Sequence, residues 1–262
     1  MSDKIDSPEM LLQIARRTAD KTLALKYYLQ AAEGGLSPAM VAVGNIYLEG
    51  EAVAKDDAEA LDWFKKAAAL GNPVAMNNIG YIYEQRDDNE LAVKWYTKAA
   101  KNGDTVALRN LAFTYAKIGE LDKAVTNYKK AIERGDVEAM NDLGDLYFEN
   151  EDYEEAEDYY MQAAKLGHVE AMVNLGQMLI YGEDFLGDSY YWLKKAFDKG
   201  HEYAPMLLGE LFEEHRKYRK AARWYKRAVD FGISDANKKL REMKAYLKKN
   251  ENADCKILST DD

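Results

Sequence analysis

Seven glycines constrain this chain more than anything else in it. Gly35, Gly71, Gly103, Gly135, Gly167, Gly200 and Gly232 succeed one another at spacings of 36, 32, 32, 32, 33 and 32 residues. Each closes a similar alanine-rich phrase, such as Lys66-Ala67-Ala68 or Lys98-Ala99-Ala100. A fixed period in this range marks a repeat architecture, whose units bury their apolar faces on one another. Glycine just past a helix end takes up the left-handed backbone that closes the helix.

Each unit divides into two helices. In the second, helix B, small residues recur four and eleven positions before the glycine, as in Ala67 and Ala60. Spaced by seven, they share one face and let a neighbouring helix come close. Between them stand aromatic pairs, among them Trp63-Phe64, Trp95-Tyr96, Tyr159-Tyr160 and Trp224-Tyr225, which fill the space between helices. In the first, helix A, Gly44, Gly80, Ala112, Gly144, Gly176 and Gly209 recur in phase. A mid-helix glycine costs about 1 kcal/mol against alanine. A close crossing offsets that cost, since a larger side chain there would overpack by about 1–3 kcal/mol. Ala112 departs from the pattern by one methyl. Helices of about 12–14 residues are marginal alone and must stack. The expected fold is all-α: an α/α solenoid, a right-handed superhelix of six to seven antiparallel helix pairs with a C-terminal cap helix.

These phrases resemble the Sel-one-like repeat family of the tetratricopeptide superfamily. The match runs through Ala39-Met40, Gly44, Tyr47, Gly50, Lys55-Asp56, Ala60, Trp63-Phe64, Lys66-Ala67-Ala68 and Gly71. The resemblance covers roughly residues 20–247. It implies adaptor-type binding of proteins, with helix A lining the concave surface. On this reading residues 1–249 form a single solenoid: 1–35 a degenerate N-terminal repeat, 36–232 six repeats, and 233–249 the cap helix. Residues 250–262 are expected to be a flexible tail. Ser7-Pro8 reads as a helix start, with serine as the cap and proline in the first turn.

The composition, 47% hydrophobic and 31% charged, is that of a folded soluble protein, and no window reaches 18 consecutive apolar residues. Cys255 stands alone, so no intrachain disulfide holds the fold, and a cytoplasmic location without a membrane anchor is expected. Nor does the sequence offer chemistry. His168 and His201 sit at equivalent positions after their glycines and read as residues at a helix start; neither belongs to a His-Glu-x-x-His pattern. Cysteine clusters, nucleophile elbows and phosphate-cradling loops are absent. The acidic run from Glu149 to Glu155 lacks the glycine bend of a calcium loop and suits a helix N-terminus. The expectation is a non-enzyme with neither cofactor nor metal.

Binding is sought on helix A, three residues before, one after and four after the packed glycine. That stripe carries Asn45, Asn77, Tyr81, Arg109, Phe113, Asn141, Asp145, Phe148, Gln177 and Ile180, with Val173 and Met206 in phase. A face given over to solvent would be Lys/Glu-rich. Aromatics instead supply contact area, and amides bond both donors and acceptors of a peptide backbone. The expected partner is a peptide or helix of another protein; the alternative is that these rings pack between neighbouring A helices. Asn78, Asn110, Asp142 and Asn174, one position later, read as structural.

A second feature lies at the C-terminal end. Residues 215–249 hold thirteen Lys/Arg against three acids, a net of +10, while the chain totals −10. Arg216, Lys217, Arg219, Lys220 and Arg223 could steer an anionic partner or align molecules head to tail as a weak homo-oligomer; otherwise a monomer is expected. Nucleic acid is disfavoured, because Trp224 and Tyr225 occupy core positions and the remaining residues carry −20.

Overall fold

The computed structural model describes residues 7–181 and 186–257, and among these all regular structure is helical. Helices A and B alternate seven times: α1 (Pro8–Arg17) and α2 (Lys21–Glu33), α3 (Ser37–Glu49) and α4 (Asp57–Ala69), α5 (Pro73–Gln85) and α6 (Asn89–Lys101), α7 (Thr105–Lys117) and α8 (Leu121–Glu133), α9 (Val137–Glu149) and α10 (Tyr153–Lys165), α11 (Val169–Met178) and α12 (Leu186–Asp198), and α13 (Ala204–Glu214) and α14 (Tyr218–Asp230). A 3₁₀ turn, Leu179–Tyr181, extends α11, and α15 (Ser234–Ile257) follows the last pair. This is an α/α solenoid. The helix begun at Ser234 runs on to Ile257, past Lys249, and residues 258–262 of the expected tail lie outside the described residues. The chain divides into two compact units, one ending at Ala139 and the other beginning at Met140. Within each, successive helices pack on one another.

Local chemistry sets the helix ends. Ser7 caps α1 by accepting from the Met10 amide at 3.3 Å. After three of the closing glycines the next residue caps the following helix A: Asn72, Asp104 and Asp136 accept from the amides of Ala75, Ala107 and Ala139. His168 does the same through Nδ1, 3.1 Å from the Ala171 amide. Its place after Gly167 is thus a structural one. The short turn from A to B needs a left-handed residue seven positions beyond the packed glycine. Gly119 fills it in one unit, whereas Asp87, Glu151 and Arg216 adopt φ of 59°, 66° and 53° in others.

The core forms where a helix-B side chain lies on a helix-A glycine. A methyl at Gly80 would stand 2.6 Å from Tyr96 Cδ1, one at Gly144 2.7 Å from Tyr160 Cδ1, and one at Gly176 2.6 Å from Leu193 Cγ. A methyl at Gly44 would stand 2.5 Å from Phe64, and one at Gly209 would meet Tyr225 in the same manner. Phe64, Tyr96 and Tyr225 are completely buried. The B-helix alanines, such as Ala67, Ala99, Ala131 and Ala163, are buried as completely.

One prediction follows from this crossing. In an exposed helix, Gly→Ala stabilises by about 1 kcal/mol. Gly144→Ala will instead destabilise the protein, by about 1 kcal/mol after the propensity gain is deducted, because the new methyl must displace the Tyr160 ring. Urea unfolding measures the sign directly.

Candidate functional site

In the first unit, α3 and α5 face a cleft of about 490 Å³. Asn45, Leu48, Asn78 and Tyr81 line it, with Lys55 and Asp57 at one side. Tyr81 is 43% exposed, and on α7 Phe113 is 52% exposed, so these rings stand in solvent and not between helices. Arg109, also on α7, holds Asp136 with Nε 3.4 Å from Oδ2. Arg109 and Phe113 do not line this cleft.

The asparagines form a ladder. Asn78 donates Nδ2–H to Asn45 Oδ1 at 2.9 Å, and Asn110 does the same to Asn77 at 3.0 Å. The second unit repeats the rung, from Asn174 to Asn141 at 3.1 Å. Residues 33 apart thus tie one helix A to the next. Asn78, Asn110 and Asn174 are structural, but their bonds cross between helices instead of supporting a turn.

In the second unit α9, α10 and α11 enclose a cleft of about 580 Å³. Its polar floor is Asp145, whose carboxylate accepts from Tyr160 Oη–H at 2.7 Å, Asn141 Nδ2–H at 3.1 Å and Asn174 Nδ2–H at 3.0 Å. Burial raises the Asp145 carboxyl above its ordinary value, against the lowering effect of the Tyr160 hydrogen bond. Burial and the adjoining carboxylate push the Tyr160 phenol upward in turn. Phe148, 44% exposed, meets Tyr153 edge-on with ring centroids 5.4 Å apart, and Gln177 and Met178 complete the lining.

The structure therefore gathers Asp145, Phe148 and Gln177 in one cleft and Asn45 and Tyr81 in another. Asn141 is corrected: only 6% exposed, it spends both ends of its amide on Asp145 and Asn174. Ile180 is corrected as well. It falls in the 3₁₀ turn, where the tighter winding carries it off the α-helical stripe, and it is 3% exposed. Val173 and Met206 are buried in the same way. Tyr153 and Met178 were outside the helix-A stripe, since one begins helix B and the other is two residues past Gly176. An aromatic at the first position of helix B, opposite Phe148, was the available signal.

At the C-terminal end Arg216, Lys217, Arg219, Lys220 and Arg223 are all exposed. Lys217, Lys220 and Arg223 line a third cleft, of about 480 Å³, with Tyr190, Phe212 and Trp224. Among the described residues, no helix is long and apolar enough to cross a membrane, and no group of three or more His, Cys, Asp or Glu side chains is placed to hold a metal.

The repeating hairpins and their ladder define a Sel1- and tetratricopeptide-like repeat protein. The Sel1 repeat model matches residues 15–36, 37–72, 73–104, 169–201 and 208–230, and a tetratricopeptide repeat model matches 103–167. The chain belongs to the Sel1 repeat family. Among solved structures, a protective antigen of uropathogenic Escherichia coli strains displaying an SLR fold superposes with a TM-score of 0.72 at 27% identity, covering 91% of this chain and 56% of the antigen. A Sel1 repeat protein from Oxalobacter formigenes gives 0.64 at 27% identity, over 76% of this chain and 91% of that one. Yeast Tom70, at 15% identity and 0.68, covers 94% of this chain and 56% of its own, and shares the fold alone. A 67-residue stretch is 43% identical to the chitin synthase regulator SKT5 of Saccharomyces cerevisiae; it is 25% of this chain and 10% of that protein.

The Asp145 cluster makes a pH prediction. Because burial raises this carboxyl in the folded state, the native protein binds the proton more tightly than the unfolded chain. Its contribution to stability is therefore greatest below the ordinary carboxylate value, about 4, and declines as pH rises through the raised value. Asp145→Asn lacks this decline. Its deficit in melting temperature against the wild type will shrink between that acidic pH and neutrality, and calorimetry on both proteins at the two ends checks it.

Proposed function

We propose that this protein is a non-catalytic adaptor that binds an extended segment of a partner protein on its helix-A side, chiefly in the cleft of the second unit. The observation that supports the reading is the composition of that cleft. Two exposed rings, Phe148 and Tyr153, stand beside the side-chain amides of Asn174 and Gln177, over the floor that Asp145 forms. Aromatics bury area at small entropic cost, and side-chain amides meet the donors and acceptors of an extended backbone. Tyr81 and Asn45 offer the first unit's cleft as a second contact, and Phe113 an exposed ring on α7.

The arrangement suits binding better than catalysis. Asp145 already accepts from three donors of the chain itself, which sets it to order the floor. Asn45 and Asn77 keep both Nδ2 hydrogens after the ladder has taken their oxygens, whereas Asn141 spends one on Asp145 and is buried. A regulator of another enzyme, as the name of the yeast relative describes that protein, would act by such binding. A cytoplasmic setting goes with the proposal, since one cysteine cannot form an intrachain disulfide and the fold needs no oxidising compartment.

The test is selection from a random peptide library displayed on phage. Selected peptides will share an aromatic or large apolar anchor. Phe148→Ala with Tyr153→Ala will weaken them at least about tenfold, and Tyr81→Ala with Phe113→Ala by a smaller factor. Both double variants will melt within a few degrees of the wild type, as exposed rings should. Peptides that bind the Phe148/Tyr153 variant undiminished would remove this cleft from the account.

A further inference from the structure

The basic end departs from the earlier repeats, which place an acid before helix B at Asp20, Asp56, Asp88, Glu120 and Asp152 where the last places Lys217. Lys217, Lys220 and Arg223 occupy the positions held 65 residues earlier by Asp152, Glu155 and Asp158, and 161 residues earlier by Asp56, Glu59 and Asp62. The scaffold therefore accepts three acids on this stripe in two repeats, while others carry mixed residues there, such as Leu91 and Lys94 or Lys123 and Thr126. At α4 the acid is useful: Asp56 receives the amides of Ala58 and Glu59 at 2.9 and 3.0 Å. At α14 the cap position is Lys217, which makes no side-chain cap bond, and the first turn holds no acid. Cations at a helix N-terminus oppose the helix dipole, and like charges three residues apart repel. The fold gains nothing from this arrangement.

Among the described residues, nothing nearby neutralises it. None of the three side chains forms an ion pair or hydrogen bond with a described residue; Lys220 alone has a contact, its ammonium 5.3 Å from the Phe212 ring centroid. All three are exposed and line the cleft of about 480 Å³, with Tyr190 beside Phe212 at 5.6 Å between centroids. Arg227, also in the lining, is a different matter. It lies over Trp224 at 4.4 Å, as Lys66 lies over Trp63 and Lys98 over Trp95, so it is a packing element common to the repeats. A local cost that the fold does not require, placed around a cavity, is where a functional site is expected.

We propose that this cleft is a second docking site, independent of the one above, which takes an acidic segment of a partner protein: Asp or Glu carboxylates set over the α14 N-terminus between Lys217, Lys220 and Arg223, with a neighbouring apolar side chain against Tyr190. Carboxylates supply the charge that the dipole and the cations both lack, and they fit the guanidinium of Arg223 in two-pronged fashion. A protein segment is favoured over single-stranded nucleic acid because bases need open ring faces to stack on. Of the cleft's rings Tyr190 alone is exposed, which is too few for successive bases; Trp224 and Phe212 are buried, with Arg227 and Lys220 over them.

The experiment uses the whole chain and a fluorescein-labelled peptide of Glu and Asp around one Phe, followed by anisotropy at low salt. The variant Lys217→Asp, Lys220→Glu, Arg223→Asp transplants the α10 residues, so it will fold, and it will melt no lower than the wild type because acids at the helix N-terminus favour the dipole. It will bind the peptide at least about tenfold more weakly, and added salt will weaken the wild type likewise. Phe148→Ala with Tyr153→Ala will leave this affinity within about twofold, which separates the two sites. The proposal is overturned if the wild type ignores the peptide, if the variant binds it equally, or if an oligonucleotide of equal charge binds more tightly. It is overturned also if sedimentation shows salt-sensitive self-association that the variant loses while the peptide does not compete.

Discussion

A side chain from one helix lying against bare backbone on the next is the contact on which the arrangement depends. Tyr96 on Gly80 and Tyr160 on Gly144 leave no room for even a methyl, so the ring of helix B rests directly on the backbone of helix A. Each contact is small. Its recurrence at 32-residue intervals makes it decisive, because a 13-residue helix is marginal alone and holds its shape only against neighbours. Where the glycine is replaced, at Ala112, the methyl is fully buried. Where the ring is replaced, by Leu193, the glycine at 176 remains as crowded as the others.

The same ring carries the interior chemistry outward. Tyr96 donates its hydroxyl to Glu84 Oε2 at 2.6 Å, Tyr160 to Asp145 Oδ1 at 2.7 Å, and Tyr225 to Glu213, which also takes Lys239 of α15 at 3.0 Å. One end of the tyrosine therefore fixes the helix crossing, and the other fixes a carboxylate on the helix-A side. Buried hydroxyls need a partner, and the carboxylates provide it at the cost of their own dehydration. In the second unit the cost is visible as the raised Asp145 carboxyl, which in turn orders Asn141 and Asn174 beneath the Phe148 and Tyr153 rings.

The repeat, its two helices, the packed glycine and the buried alanines were legible in the sequence because each is a periodic response to one steric demand. Exposure of Tyr81, Phe113 and Phe148 could be read too, since phase from a buried glycine fixes the direction of a helical side chain. The asparagine ladder could not. Asn141 and Asn174 lie 33 residues apart, and only the crossing of neighbouring helices brings them within hydrogen-bonding distance. Ile180 was misplaced because its stretch leaves the α-helix for a 3₁₀ turn, where a stripe drawn at 3.6 residues per turn no longer holds. The charge reversal on α14 was visible as composition, but its place over an unfilled cleft was not.

A double-mutant cycle on Gly80→Ala and Tyr96→Ala, followed by equilibrium unfolding, tests the ring-on-backbone contact most directly. If the contact organises the fold, the added methyl will be harmful beside the tyrosine, and neutral or helpful once the ring is gone. The coupling will then lie in the range of about 1–2 kcal/mol found for residues in direct contact. The same change in stability in both backgrounds would contradict the account, because the glycine would then be present for some reason other than the ring it faces.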